Sequence, residues 1–204
     1  GTIEVAASVN QWGTVAKALG GDNVNVTSII NSTNVDAHDY EPTTSDIAKL
    51  QKAQVIIVNG AGYDAWAVKA TQTANATIVN AAEVGGVNDG ENPHVWFSAD
   101  VRKAVAQAIT EAYEQADAAK KNDFDKMNDR WTAEENNVES KIAEVKQKTD
   151  GLAYAATESV ASYLAEDMGL TDATPSGYAK TTSLTSGKTY LPAPARERMM
   201  AALP

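Results

Sequence analysis

Cysteine is absent from the 204 residues. That excludes disulfides and thiolate metal sites alike, so a metal here must be held by imidazole and oxygen. Basic residues are in the minority: 17 Lys and Arg against 27 Asp and Glu give a formal net charge of −10. Nucleic acid wants basic patches that neutralise phosphate, so the balance argues against such a partner. It suits capture of a cation. No apolar run reaches the roughly 20 residues that span a bilayer, and no signal peptide precedes Ile3. Gly1 reads as a remnant ahead of a mature N-terminus whose export signal has been removed. Internal repeats and low-complexity tracts are missing too. Histidine is scarce, with only His38 and His94.

What is present supports a folded α/β chain. Apolar residues make up 43%, enough for a buried core. Strands are expected over 3–8, 24–30, 55–58, 77–80 and 152–156. Helices are expected over 11–19, 47–53, from about 63 to 72, 99–113 and 159–168. Gly20-Gly21, Gly151 and Gly169 act as stops. Val55-Ile56-Ile57-Val58 has the continuous apolar character of a buried parallel strand. From Ala116 to Lys148 there is no Gly or Pro, and a thin stripe of Phe124, Met127, Trp131, Val138, Ile142 and Val145 runs through dense charge. A helix of that length measures on the order of 45–50 Å, and one so polar usually connects two bodies.

Both histidines follow expected strands within turn-forming, acidic sequence: Asp36-Ala37-His38-Asp39-Tyr40-Glu41-Pro42 and Glu91-Asn92-Pro93-His94-Val95-Trp96-Phe97. Strand ends of a parallel sheet converge on one edge, where α/β proteins bind ligands. Neutral imidazole is the commonest side-chain ligand for a borderline metal such as zinc. Glu158 also follows a strand end. Asp39, Tyr40 and Asp64 are equally readable as supports for the histidines or as surface polarity. Glu41 reads as a helix-start carboxylate, and Trp66 and Trp96 as packing. The turn Asn59-Gly60-Ala61-Gly62 lacks the lysine and serine of a phosphate loop. A hydrolytic metal site would also use two histidines and a carboxylate, but no His-Glu-x-x-His motif is present and no histidine is left as a general base. An adhesin with a structural metal is a further alternative.

Four stretches in order resemble the zinc- and manganese-binding solute-binding proteins of ABC transporters. They are Ala37 to Thr43, Asn59 to Asp64, Asn92 to Trp96, and Thr157-Glu158 followed by Tyr163 and Gly169-Leu170. The resemblance runs from Ile3 to about Tyr178. It implies two α/β lobes with mostly parallel sheets joined by a long spine helix: an N-terminal lobe at 1–115, the helix at 116–148 and a second lobe at 149–204. It implies one divalent ion, Zn²⁺ or Mn²⁺, carried as transported ligand and bound by His38, His94 and Glu158. The chain would be a non-enzymatic, extracytoplasmic protein, periplasmic or lipid-anchored at the cell surface, that delivers the ion to an ABC permease. The lipid anchor would lie outside this chain.

After Tyr178 the resemblance fades, before the segment that carries the family's fourth, acidic ligand. Ser183 to Pro204 holds three bases, Lys188, Arg196 and Arg198, against one acid, Glu197, and three prolines. A truncated or frame-shifted product, or a degenerate family member, is the expectation, with an incomplete second lobe. Such a lobe buries little surface, so a homo-oligomer, or water in the fourth ligand position, is expected with it.

Overall fold

The structure is a computed structural model and describes residues 1–32, 35–149, 151–154 and 162–173. It divides into two compact units, 1–136 and 137–204.

The first unit is built on four parallel strands, β1 (Ile3–Val9), β2 (Val24–Ile30), β3 (Val55–Val58) and β4 (Thr77–Asn80), in the order β2-β1-β3-β4. Register pairs Ile3 with Val24, Val5 with Val55 and Val55 with Thr77. β3 lies inside the sheet and is buried along its whole length, as its unbroken apolar run requires. Successive side chains of a strand point to opposite faces. Ile56 and Val58 accordingly join Ala6, Leu50 and Ala67 in one core cluster, which engages α2 (Thr44–Lys52) and α3 (Ala65–Thr71). On further helices, α1 (Asn10–Gly20) packs against α5 (Ala99–Ala116), where the buried Tyr113 hydroxyl donates to the Ala16 carbonyl at 2.9 Å. A four-residue α4 (Ala81–Val84) follows β4.

Local chemistry sets the helix ends. Thr43 caps α2 in a reciprocal box with Asp46. The helix-start carboxylate is therefore Asp46 and not Glu41. Burial works against the charge on Asp46, but hydrogen bonds from the Tyr40 hydroxyl and from the Thr43 amide and hydroxyl outweigh it and hold the carboxyl below its ordinary value. Ser98 caps α5 through the Val101 amide.

The long helix begins later than its composition suggests. After α5 the chain breaks at Asp117, where ψ is 81°, makes a 3₁₀ turn over Ala118–Lys120, and enters α6 (Lys121–Thr149). It is a single 29-residue helix. Its early apolar residues are anchored: Phe124 is fully buried against the Tyr113 ring, with centroids 5.4 Å apart. Burial of such a side chain contributes about 1.5–3 kcal/mol. Further along, Val138 and Val145 remain 46% and 41% exposed, so the stripe read from sequence is only half used.

The second unit shows β5 (Ala153–Tyr154) paired in parallel with β6 (Thr171–Asp172) around α7 (Ser162–Asp167). Gly169, at φ 69°, ends α7; its amide reaches the Glu166 carbonyl and the Leu170 amide reaches that of Ala165, the 6→1 and 5→2 pairing of a Schellman stop. Glu158 and the stretch from Ser183 to Pro204 lie outside the described residues. Among the described residues no helix is long and apolar enough to cross a membrane.

Candidate metal site

In the first unit the chain runs from β1 to β2 on one side and to β3 on the other, so a crevice opens at the carboxyl ends of the strands. Three loops meet there, after β2, β3 and β4.

The middle loop is the scaffold. Gly60, Ala61 and Gly62 all adopt left-handed backbone, with φ of 75°, 51° and 76°. A side chain at Gly60 would run into the Asn80 amide. Ala61 has no glycine's freedom, and left-handed backbone costs such a residue about 1–2 kcal/mol. Asp64 offsets this by closing the turn: its carboxylate accepts from the Asn59 amide at 2.7 Å, the Gly60 amide at 2.9 Å and the Ser8 hydroxyl at 2.5 Å. Asp64 is fully buried. Burial pushes its carboxyl up, and those donors pull against the rise.

Asn59 ties this loop to the one carrying His94. Its Oδ1 accepts from Trp12 Nε1 at 2.9 Å, and its Nδ2 donates to the Pro93 carbonyl at 2.8 Å and the Gly60 carbonyl at 3.1 Å. On the other side, Trp66 Nε1 donates to the Ala37 carbonyl at 3.1 Å. The Trp66 ring also meets the Tyr40 ring edge-on at 5.0 Å. Trp66 thus pins the residue before His38, and Asn59 pins the residue before His94. Arg102 braces the far side of the His94 turn. It donates to the Trp96 carbonyl at 3.0 Å and is held by Glu135 through paired contacts of 3.0 and 2.8 Å.

Each histidine loop is itself an Asx turn, in which an acidic or amide side chain accepts the backbone N–H two residues on. Asp36 accepts from the His38 amide at 2.9 Å and Asn92 from the His94 amide at 3.1 Å. The shared Asx-x-His spacing is visible in the sequence.

The two imidazoles meet across Tyr63. Its ring lies 5.8 Å from that of His38 and 6.0 Å from that of His94, both edge-on, and 5.0 Å from that of Trp96. His94 in turn stacks edge-on with Trp96 at 5.4 Å. Burial pushes His94 below its ordinary value, and repulsion from His38 lowers it further, against a smaller opposing pull from Asp36. His94 is therefore neutral at neutral pH, the form that ligates metal. Burial, followed by the Asp36 and Asp64 charges, raises Tyr63, which stays a neutral phenol. His38 is exposed and His94 half-buried, leaving the pair open to an incoming ion.

The structure brings His38 and His94 to the same Tyr63 ring, and Glu158 lies outside the described residues. Among the described residues no group of three or more His, Asp or Glu side chains forms a metal cage. Asn59, Asn92, Tyr63, Trp66 and Arg102 are the supports that sequence reasoning missed or took for packing.

The sequence model of ZnuA, described as the periplasmic component A of a zinc-uptake complex, matches residues 5–189. The chain is 24% identical over 157 residues to the high-affinity zinc uptake system protein ZnuA of Bacillus subtilis, covering 67% of this chain and 49% of that protein. It is 28% identical over 103 residues to the manganese-binding lipoprotein MntA of Halalkalibacterium halodurans, covering 47% and 33%. The fold superposes on zinc-bound AdcA from Streptococcus pneumoniae with a TM-score of 0.74 at 22% identity, over 87% of this chain and 40% of that one. This chain spans about half the length of the first curated relatives it matches. With nine-tenths of its residues inside the family match, and a parallel α/β lobe of the same architecture, the chain belongs to the ZnuA family of metal-uptake solute-binding proteins.

Proposed function

We propose that this chain captures one divalent transition-metal ion outside the cytoplasm and presents it to an ABC permease, with the ion as cargo. The observation that carries this reading is the pair of imidazoles held on separate loops around Tyr63, one of them kept neutral by burial. His38 and His94 are the ligands from the first unit. Glu158 is the third ligand implied by the family resemblance. The relatives' names place such proteins in the periplasm or on lipid anchors at the cell surface, and we assign this chain to the same side of the membrane.

Zn²⁺ and Mn²⁺ are both within reach. Two imidazoles favour Zn²⁺ by the usual order of divalent affinities, whereas a carboxylate-rich complement favours Mn²⁺. A hydrolytic role is opposed by the histidine count: both are used as ligands, and the sequence has no third to serve as a base. We also propose the division into an N-terminal lobe at 1–115, a linking segment at 116–148 that is α-helical from Lys121 onward, and a second lobe at 149–204. The completion of the sheet and its flanking helices by Ala116 supports it.

Equilibrium dialysis against Zn²⁺ and Mn²⁺ at neutral pH tests the function. The expected result is about one ion per chain and no turnover of ester or peptide substrates. No binding of either ion, or metal-dependent turnover, overturns it.

A further inference from the structure

The Asx turn at His94 does more than hold the backbone. Asn92 Oδ1 lies 3.1 Å from the His94 amide and also 2.7 Å from His94 Nδ1. A backbone amide can only donate, so the Asn92 atom facing it is the carbonyl oxygen and not the amide nitrogen. That oxygen carries no proton. The short contact to Nδ1 is therefore a hydrogen bond only if Nδ1 is the donor. In neutral imidazole one nitrogen then bears the proton and the other, Nε2, bears the lone pair. A single oxygen thus fixes both the turn and the tautomer.

Building on the proposed function, we propose that Asn92 is a positioning residue: it locks His94 in the Nδ1–H tautomer and delivers Nε2 to the metal. Asn92 itself does not touch the ion. Its position is well suited to the task. The Pro93 carbonyl between the two residues is held by Asn59 Nδ2 at 2.8 Å, and the Trp96 carbonyl beyond them by Arg102 at 3.0 Å. The turn is therefore fixed from both sides while Asn92 orients the ring. An outer partner of this kind typically contributes 10–100-fold to metal affinity, by fixing ring orientation and tautomer.

The test is long-range ¹H–¹⁵N correlation NMR of metal-free protein, at a pH where imidazole is neutral, beside Zn²⁺ titration of the same samples. The wild type should show His94 protonated on Nδ1. Asn92→Ala should show a tautomer mixture and a Zn²⁺ affinity lower by about 10–100-fold, with its circular dichroism unchanged. Asn92→Asp keeps an acceptor at the same place, so it should retain the Nδ1–H form and bind Zn²⁺ far better than Asn92→Ala. If Asn92→Ala does not fold, the wild-type spectrum and Asn92→Asp still decide the matter. A wild type that binds Zn²⁺ but carries the proton on Nε2 overturns the role of Asn92 alone. A shifted tautomer in Asn92→Ala with wild-type affinity overturns it equally. A wild type with the Nδ1–H form that binds neither Zn²⁺ nor Mn²⁺ overturns the proposed function itself, and the positioning role with it.

Discussion

Asn59→Ala perturbs the joint between scaffold and site. Asn59 is fully buried and makes three side-chain hydrogen bonds: one accepted from Trp12 Nε1 and two donated, to the Pro93 and Gly60 carbonyls. Truncation leaves the Trp12 N–H without its acceptor in a site closed to water. Such an orphan costs about 1–3 kcal/mol, and each lost carbonyl bond a further 0.5–1.5 kcal/mol or so. A total loss of about 2–6 kcal/mol is expected, read from urea unfolding followed by tryptophan fluorescence. Release of the Pro93 carbonyl should also weaken Zn²⁺ binding by about tenfold, in the range of other outer supports. Asn59→Asp separates the effects. It keeps the acceptor for Trp12 but loses the donor to Pro93, and it sets a second carboxylate beside Asp64, whose Oδ2 already accepts the Asn59 amide. That variant should be destabilised at neutral pH and partly recover on mild acidification, as the introduced carboxylate takes up a proton. A stability loss below about 0.5 kcal/mol for Asn59→Ala, with unchanged Zn²⁺ affinity, would refute the claim that this amide joins the loops.

Other consequences follow from the same geometry. Trp66→Phe keeps an aromatic ring but removes part of the indole and the N–H to the Ala37 carbonyl, so at least about 0.5–1.5 kcal/mol of stability is lost, with a several-fold weaker Zn²⁺ titration. Thr43→Ala breaks the α2 capping box, costs about 1 kcal/mol in the same urea assay, and leaves Zn²⁺ affinity unchanged. Acid should act through His94, whose folded value lies below the ordinary 6.5 because of burial and His38. The unfolded chain binds that proton first, so stability is constant above about pH 6.5 and falls as pH drops towards the folded value. Urea midpoints measured from pH 7.5 to 5.5 should show this fall in the wild type and not in His94→Ala. Zn²⁺ affinity should decline over the same range, because protons compete for the imidazoles.

The periodic parts of the fold were legible in the sequence. β3 follows from four consecutive apolar residues, and the ends of α6 and α7 from Gly151 and Gly169, whereas α2 starts at Thr44, ahead of the expected 47–53. The start of the long helix was not: nothing in the composition around Asp117 marks the break, because Ala116, Ala118 and Ala119 are all good helix formers. The two histidines were legible as a pair because they are the only two and both follow strands. Their supports Asn59 and Trp66 were not, because they act through long-range contacts with carbonyls and rings, which no local period encodes. Asn59 and Pro93 are 34 residues apart, and Trp66 and Ala37 are 29 apart. Asp64 sits only five residues from its Asn59 partner, but it also accepts from Ser8, 56 residues away.

The central claim is that His38 and His94 bind one ion together. Calorimetric Zn²⁺ titration of the wild type, His38→Ala, His94→Ala and the double variant tests it most directly. Each single variant should lose more than the roughly 100-fold that outer supports contribute, and the double variant should lose little beyond either single one, since removal of one imidazole already dismantles a shared site. Wild-type affinity in either single variant, or two independent losses that simply add in the double variant, would contradict it.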